Sequence, residues 1–312
     1  MGGKIAEGAD PGTETAVKLP GATGIRSVTL NVAEPDRSRE FYEKVLGFQA
    51  VSHTVEAVAL TPPGGGWPLL FLDAAAQLPR ADRMPGGMER RVAGLYHTAY
   101  LFPSRAALGA VVSRIIASGY PIQGAADHIV SEAVYLADPE GNGIELYVDR
   151  PRGEWEWHGG QVAMATDPLD LQSLLEEAQN SGTGGGALPA DTVIGHIHLQ
   201  IGDLDRGEEF YSGVLGFDVT QRSYPGALFL SAGGYHHHVG LNIWGGRGIP
   251  PRRGGERGLA SFRISVPDAS AFSALASRAG SNVPPPSSAS LPHVLQLRDS
   301  DGIAVEIERT PA

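Results

Sequence analysis

The stretch His128-Ile129-Val130-Ser131-Glu132-Ala133-Val134-Tyr135-Leu136-Ala137-Asp138-Pro139-Glu140-Gly141-Asn142-Gly143-Ile144-Glu145 organises the reading of this chain. Asp138 to Gly143 is turn chemistry, and it separates two β-rich runs, 133–137 and 144–148, so the segment should fold as a hairpin. Tyr135 and Glu145 then lie on paired strands. The alternation around Glu145 puts Ile144 and Leu146 on one face and Glu145 and Tyr147 on the other, which would aim an acid and a phenol at a cleft. An ordinary hairpin with a solvated Glu is the competing reading; the accompanying His128 and Tyr135 favour the cleft.

The chain has 312 residues and 42% hydrophobic content, enough for a large core and about two domains. A formal net charge of −11 argues against nucleic acid or an anionic membrane as partner. No run approaches the length of a membrane span and the first residues lack the apolar segment of a signal peptide, so a cytoplasmic location is expected. Cysteine is absent, which excludes disulfides and thiolate metal sites and leaves His and carboxylate as the available strong ligands.

The segment Asp36-Arg37-Ser38-Arg39-Glu40-Phe41-Tyr42-Glu43-Lys44-Val45-Leu46-Gly47-Phe48 recurs at residues 205–217 with nine of thirteen residues identical. Each copy follows an alternating strand (27–32; 196–201) and reads as an amphipathic helix stopped by the Gly of Leu-Gly-Phe. Fainter copies run over 94–147 and 258–308. The expected class is α+β, built from four βαβββ modules. The expected divisions are a flexible tail (1–20), modules one and two (21–150), a connector with a short helix after Asp167-Pro168 and a flexible 181–186 stretch (151–191), and modules three and four (192–312). The Gly-, Pro- and Arg-rich 245–258 loop reads as a mobile join with solvated arginines.

From about Gly24 to Glu308 the chain resembles the vicinal oxygen chelate (glyoxalase/bleomycin resistance) superfamily, in which paired modules close cups around a metal. The spacing of His128, Tyr135 and Glu145 resembles the signature of its type I extradiol, catechol 2,3-cleaving, dioxygenases. The resemblance places metal ligands on the first and last strand of each module. First-strand equivalents are Ser27, His97, His196 and Ser261; last-strand equivalents are approximately Leu72, Glu145, Asn242 and Glu306. His97, His196 and Glu145 would thus form the two-histidine, one-carboxylate triad of non-haem Fe(II) sites, with Mn(II) as the alternative ion and Asn242 in a weakly coordinating fourth place.

By the same resemblance His237 is the acid/base, Tyr135 and His128 bind substrate oxygen, and His198, on the same strand face as His196, backs the ligands. Read without it, the His236-His237-His238 tract would be a solvated loop. His53, His158 and His293 match no site position. The familiar enzymes draw their metal site from modules three and four. Here modules two and three supply it, so either two pairs with three and one with four in a single chain, or a second subunit completes the cup.

The implied activity is O2-dependent cleavage of catechol or a substituted catechol to a 2-hydroxymuconic semialdehyde-type product, by a homo-oligomer. Competing readings are a hydroquinone-cleaving dioxygenase, a glyoxalase-like isomerase or lyase, which would want a fourth protein ligand, and a metal-free drug-binding resistance protein.

Overall fold

A computed structural model describes residues 18–75, 91–182, 188–253, 255–280 and 293–310. Most of the 1–20 tail and of the 181–186 stretch lies outside the described residues. Module one consists of β1 (Gly24–Val32), α1 (Pro35–Phe41), β2 (Gln49–His53), β3 (Ala57–Thr61) and β4 (Leu70–Ala74). Module two has β5 (Gly94–Leu101), α2 (Arg105–Ala117), β6 (Gly124–Asp127), β7 (Ser131–Ala137) and β8 (Gly143–Asp149). The connector holds the short pair β9 (Trp157–His158) and β10 (Gln161–Val162) and the helix α3 (Leu171–Asn180), whose N-terminus is capped by Asp170. Module three has β11 (Val193–Gln200), α4 (Leu204–Glu208), β12 (Asp218–Gln221), β13 (Ala227–Ser231) and β14 (Val239–Asn242). Module four shows β15 (Gly258–Val266), α5 (Ala269–Ala279), β16 (Val294–Arg298) and β17 (Ala304–Arg309).

The duplicated segment is a short helix that widens, where one amphipathic helix was expected. After α1, residues Tyr42–Leu46 form a π-helical turn, and after α4 so do Glu209–Val214. Gly47, at φ 87°, ends the first. The apolar stripe still does its work: Phe41, Tyr42 and Leu46, and in the second copy Phe210, Tyr211 and Leu215, are buried against Val28, Leu30, Ile197 and Leu199 of the first strands. Burial of each such side chain stabilises by roughly 1.5–3 kcal/mol. Both copies also share a polar fastening. Tyr42 donates to Asp138 Oδ2 at 3.3 Å, Tyr211 to Asp299 Oδ2 at 3.0 Å. Arg114 and Arg278 from the neighbouring modules donate to the orphan carbonyls at the ends of the two π-turns.

Module pairing follows from the first strands. β5 and β11 run antiparallel with His97 opposite His198, and β1 and β15 run antiparallel with Ser27 opposite Arg263. Modules two and three therefore share one cup and modules one and four another, within a single chain. The cups join where β1 and β11 pair at Ile25 and Ile194, giving one continuous sheet.

The 245–258 loop differs from expectation at two of its four arginines, since Arg247 and Arg253 are exposed as expected. Arg252 is half-buried and donates to the carbonyls of Glu256 and Arg257, and Arg257 faces Glu140 at 3.8 Å, so these arginines stitch the join between modules instead of standing in solvent. No helix among the described residues is long and apolar enough to cross a membrane.

Candidate metal centre

The hairpin forms as its turn residues dictate, with Tyr135 directly opposite Glu145 on β7 and β8. The parallel pairing of β8 with β5 sets Glu145 beside the first strand, and β11 brings His196 across the module boundary. Glu145 Oε2 lies 2.8 Å from His97 Nε2 and 3.2 Å from His196 Nε2. The three ligand atoms fall within 4.8 Å of one another, and all three residues are buried.

Burial alone would raise the Glu145 pKa, but the two imidazoles overrule it and hold the carboxyl well below its usual range. Burial pushes His196 down to about 4, against the pull of Glu145. At neutral pH the cluster thus offers an ionised carboxylate and, at His196, a neutral imidazole with a lone pair. His97 Nε2 is buried and makes no hydrogen bond among the described residues despite its closeness to Glu145. Nitrogen and oxygen lone pairs converging on one buried point, one of them orphaned, fit a divalent metal ion.

The fourth position needs correction. In module two, Glu145 pairs with Ala99, two residues beyond His97. In module three the residue paired two beyond His196 is Gly240, opposite His198; Asn242 pairs with Gln200 instead. Asn242 is fully buried and accepts from the Trp244 amide at 3.2 Å, one strand period beyond the site. In module one the matching residue is Phe71, not Leu72, while Glu306 keeps its assigned place. Gly240 brings no side chain of its own to that side of the cluster. A Cβ there would meet the His198 ring at 3.0 Å, so the glycine also makes room for that ring.

The cluster opens on a cavity of about 460 Å³ lined by residues of both modules, including His128, Tyr135, His198 and His237. His198 is buried with no partner for Nε2 among the described residues, and burial holds it well below its ordinary pKa. His237, the acid/base by resemblance, is likewise pushed well down by burial and by the neighbouring histidines, so it meets a ligand as a neutral base. Its ring lies 4.1 Å from that of His196. Tyr135 and His128 are 2.6 Å apart, Oη to Nε2. His128 Nδ1 faces the Ala165 carbonyl, which can only accept, so Nε2 is free to accept the phenol hydrogen. Burial raises Tyr135 well above the ordinary phenol range and keeps it a donor.

The three-histidine tract is buried throughout and not a solvated loop. His238 Nδ1 accepts from the Ala232 amide and holds the turn that precedes β14. His53, His158 and His293 lie at the surface. Sequence reading missed the cavity's aromatic wall of Tyr96, Tyr224, Phe229 and Trp244, and the connector's contribution through Met164 and Thr166. Their only local signal is the aromatic character of Tyr96 and Trp244 beside site strands.

The chain matches the Glyoxalase/Bleomycin resistance protein/Dioxygenase superfamily over residues 24–146 and 193–307. It is 44% identical over 259 residues to a catechol-2,3-dioxygenase of Bacillus subtilis (strain 168), covering 82% of this chain and 87% of that protein. Among solved structures, a candidate dioxygenase from Bacillus subtilis subsp. subtilis str. 168 superposes with a TM-score of 0.61 at 16% identity, covering 95% of this chain and 87% of the other. Glyoxalase I from Zea mays superposes with a TM-score of 0.54 at 14% identity, covering 92% of each chain. Both structural likenesses concern the fold alone.

Proposed function

Since this chain belongs to the glyoxalase/bleomycin resistance protein/dioxygenase superfamily and is a catechol-2,3-dioxygenase-like member of it, we propose that it cleaves catechols with O2 beside the vicinal hydroxyls, at a metal held by His97, His196 and Glu145. The observation that carries the reading is the buried cluster of three ligands with Gly240 where a fourth would stand. Three ligands leave room for both hydroxyl oxygens and for O2, whereas a glyoxalase-type isomerase would want a carboxylate in that place. Fe(II), or Mn(II) in its stead, supplies when bound a chelating point for the two hydroxyls and a route for electrons from the ring to O2.

The chain's own residues do the rest. His237, neutral in the buried site, takes a proton from a substrate hydroxyl and can return it later. Tyr135, kept protonated and giving its hydrogen to His128, turns its phenol oxygen to accept from a substrate hydroxyl. His198 stands over Gly240 as a neutral polar edge. Phe229, Tyr224, Trp244 and Tyr96 form a slot for a flat ring. Among the described residues no Lys or Arg lines the cavity, which suits catechol and neutral-substituted catechols better than carboxylate-bearing ones. From catechol the expected product is 2-hydroxymuconic semialdehyde. An oxygen-electrode assay with catechol and Fe(II)-loaded protein tests this: uptake with a yellow product supports it, and unchanged oxygen argues for another member activity.

A further inference from the structure

We propose that His236, anchored by Asp149, is a positioning residue that fixes the tautomer of His237 and leaves its Nε2 bare toward the cavity; this builds on the role given to His237 above. His236 is completely buried, with its ring packed against Tyr147, Trp155 and Tyr235. Its Nε2 lies 2.9 Å from Asp149 Oδ1, at the end of β8, and its Nδ1 lies 2.8 Å from Nδ1 of His237. The same Asp149 oxygen accepts from Tyr235 Oη at 3.2 Å, and Tyr235 Oη lies 2.7 Å from Tyr147 Oη.

The hydrogens of this chain can be assigned in order. A carboxylate only accepts, so His236 carries its hydrogen on Nε2. In the form of His236 that carries a single N–H, spent on Asp149, Nδ1 is a lone pair and the hydrogen between the two histidines belongs to His237 Nδ1. The nitrogen left to His237 is Nε2, without hydrogen, on a side chain that lines the cavity. Tyr235 spends its hydrogen on Asp149, which makes Tyr147 the donor between the two phenols and leaves the network without conflict. An unrestrained imidazole can carry its hydrogen on either nitrogen, and the Nε2–H form could not take a proton from a hydroxyl at that atom. The arrangement spans residues 149, 236 and 237, from both modules of the cup, so closing the cup and setting the base are one event.

Nitrogen shifts of the full-length, 15N-histidine-labelled, metal-free protein read the tautomer directly, with His237→Gln assigning the signal. The expected pattern is a protonated Nδ1 and a bare Nε2 on His237. His236→Phe should move His237 toward the Nε2–H form and lower kcat about tenfold or more in the iron-loaded enzyme, with KM and metal content unchanged. His236→Asn, whose side-chain oxygen can accept from His237, should recover part of the loss. Asp149→Ala, at a position 22% exposed, tests the same chain if His236→Phe does not fold. A wild-type His237 with hydrogen on Nε2, or a tautomer and kcat unmoved by Asp149→Ala, overturns the proposal. Absence of oxygen uptake in wild type would instead count against the function, and the nitrogen shifts would still decide the tautomer.

Discussion

Gly240 stands to His196 as Glu145 stands to His97: each pairs with the residue two beyond its histidine across a parallel strand pair. One half of the cup therefore gives an imidazole and a carboxylate, the other an imidazole and a gap. On the proposed function, this asymmetry leaves room for two substrate atoms and a gas.

Filling the gap should separate metal binding from oxygen chemistry. Gly240→Glu combined with His198→Ala, which removes the ring that a Cβ would strike, should keep the metal and suppress oxygen uptake by about a hundredfold or more. Metal analysis alongside the oxygen electrode checks it. Normal turnover with the metal retained would mean that position 240 does not face the ion.

Changing His97, His196 or Glu145 to Ala should each lower metal content from about one ion per chain to trace levels and abolish turnover. Full metal content in Glu145→Ala, with loss in Glu306→Ala, would move the site to the other cup. That cup already fills its equivalent place with the Arg263–Glu306 pair at 2.7 Å.

His237→Phe should leave the metal bound and slow kcat by about a hundredfold, the scale of a lost acid/base group. His238→Phe should act through stability instead, since His238 bonds the Ala232 amide and faces no ligand. A thermal melt and single-turnover rates distinguish the two.

The hairpin, the four modules and all three candidate ligands were legible in the sequence, because turn residues and strand alternation are local and the helix segment is duplicated. The register of β14 was not. Gly240 and Asn242 are two apart and share a face, so alternation cannot choose between them; the hydrogen bonding of Ile197 against Val239 does. The Asp149–His236 contact and the connector's place in the cavity wall join residues far apart in the chain, and no local pattern announces them. The choice of partner module was equally hidden, since every first strand carries a similar apolar alternation.

Stability should carry a pH signature from Asp299, whose carboxyl burial pushes up to about 6, partly offset by the Ile303 amide. The folded state then holds that proton more tightly than the unfolded chain, so this group's contribution is present below about pH 4 and is lost as pH rises through about 6. Asp299→Asn can keep the amide contacts at Oδ1 and should remove this slope. Its melting temperature relative to wild type should climb between pH 4 and 6; a constant offset would mean that Asp299 is ionised throughout.

If this cup turns a bound catechol and O2 into a ring-opened product, the stoichiometry of oxygen uptake will show it. Iron-loaded protein given a limiting amount of catechol should take up about one O2 per ring and form a yellow, pH-sensitive semialdehyde. Catechol left intact with no oxygen consumed, in protein that holds its metal at His97, His196 and Glu145, would contradict it.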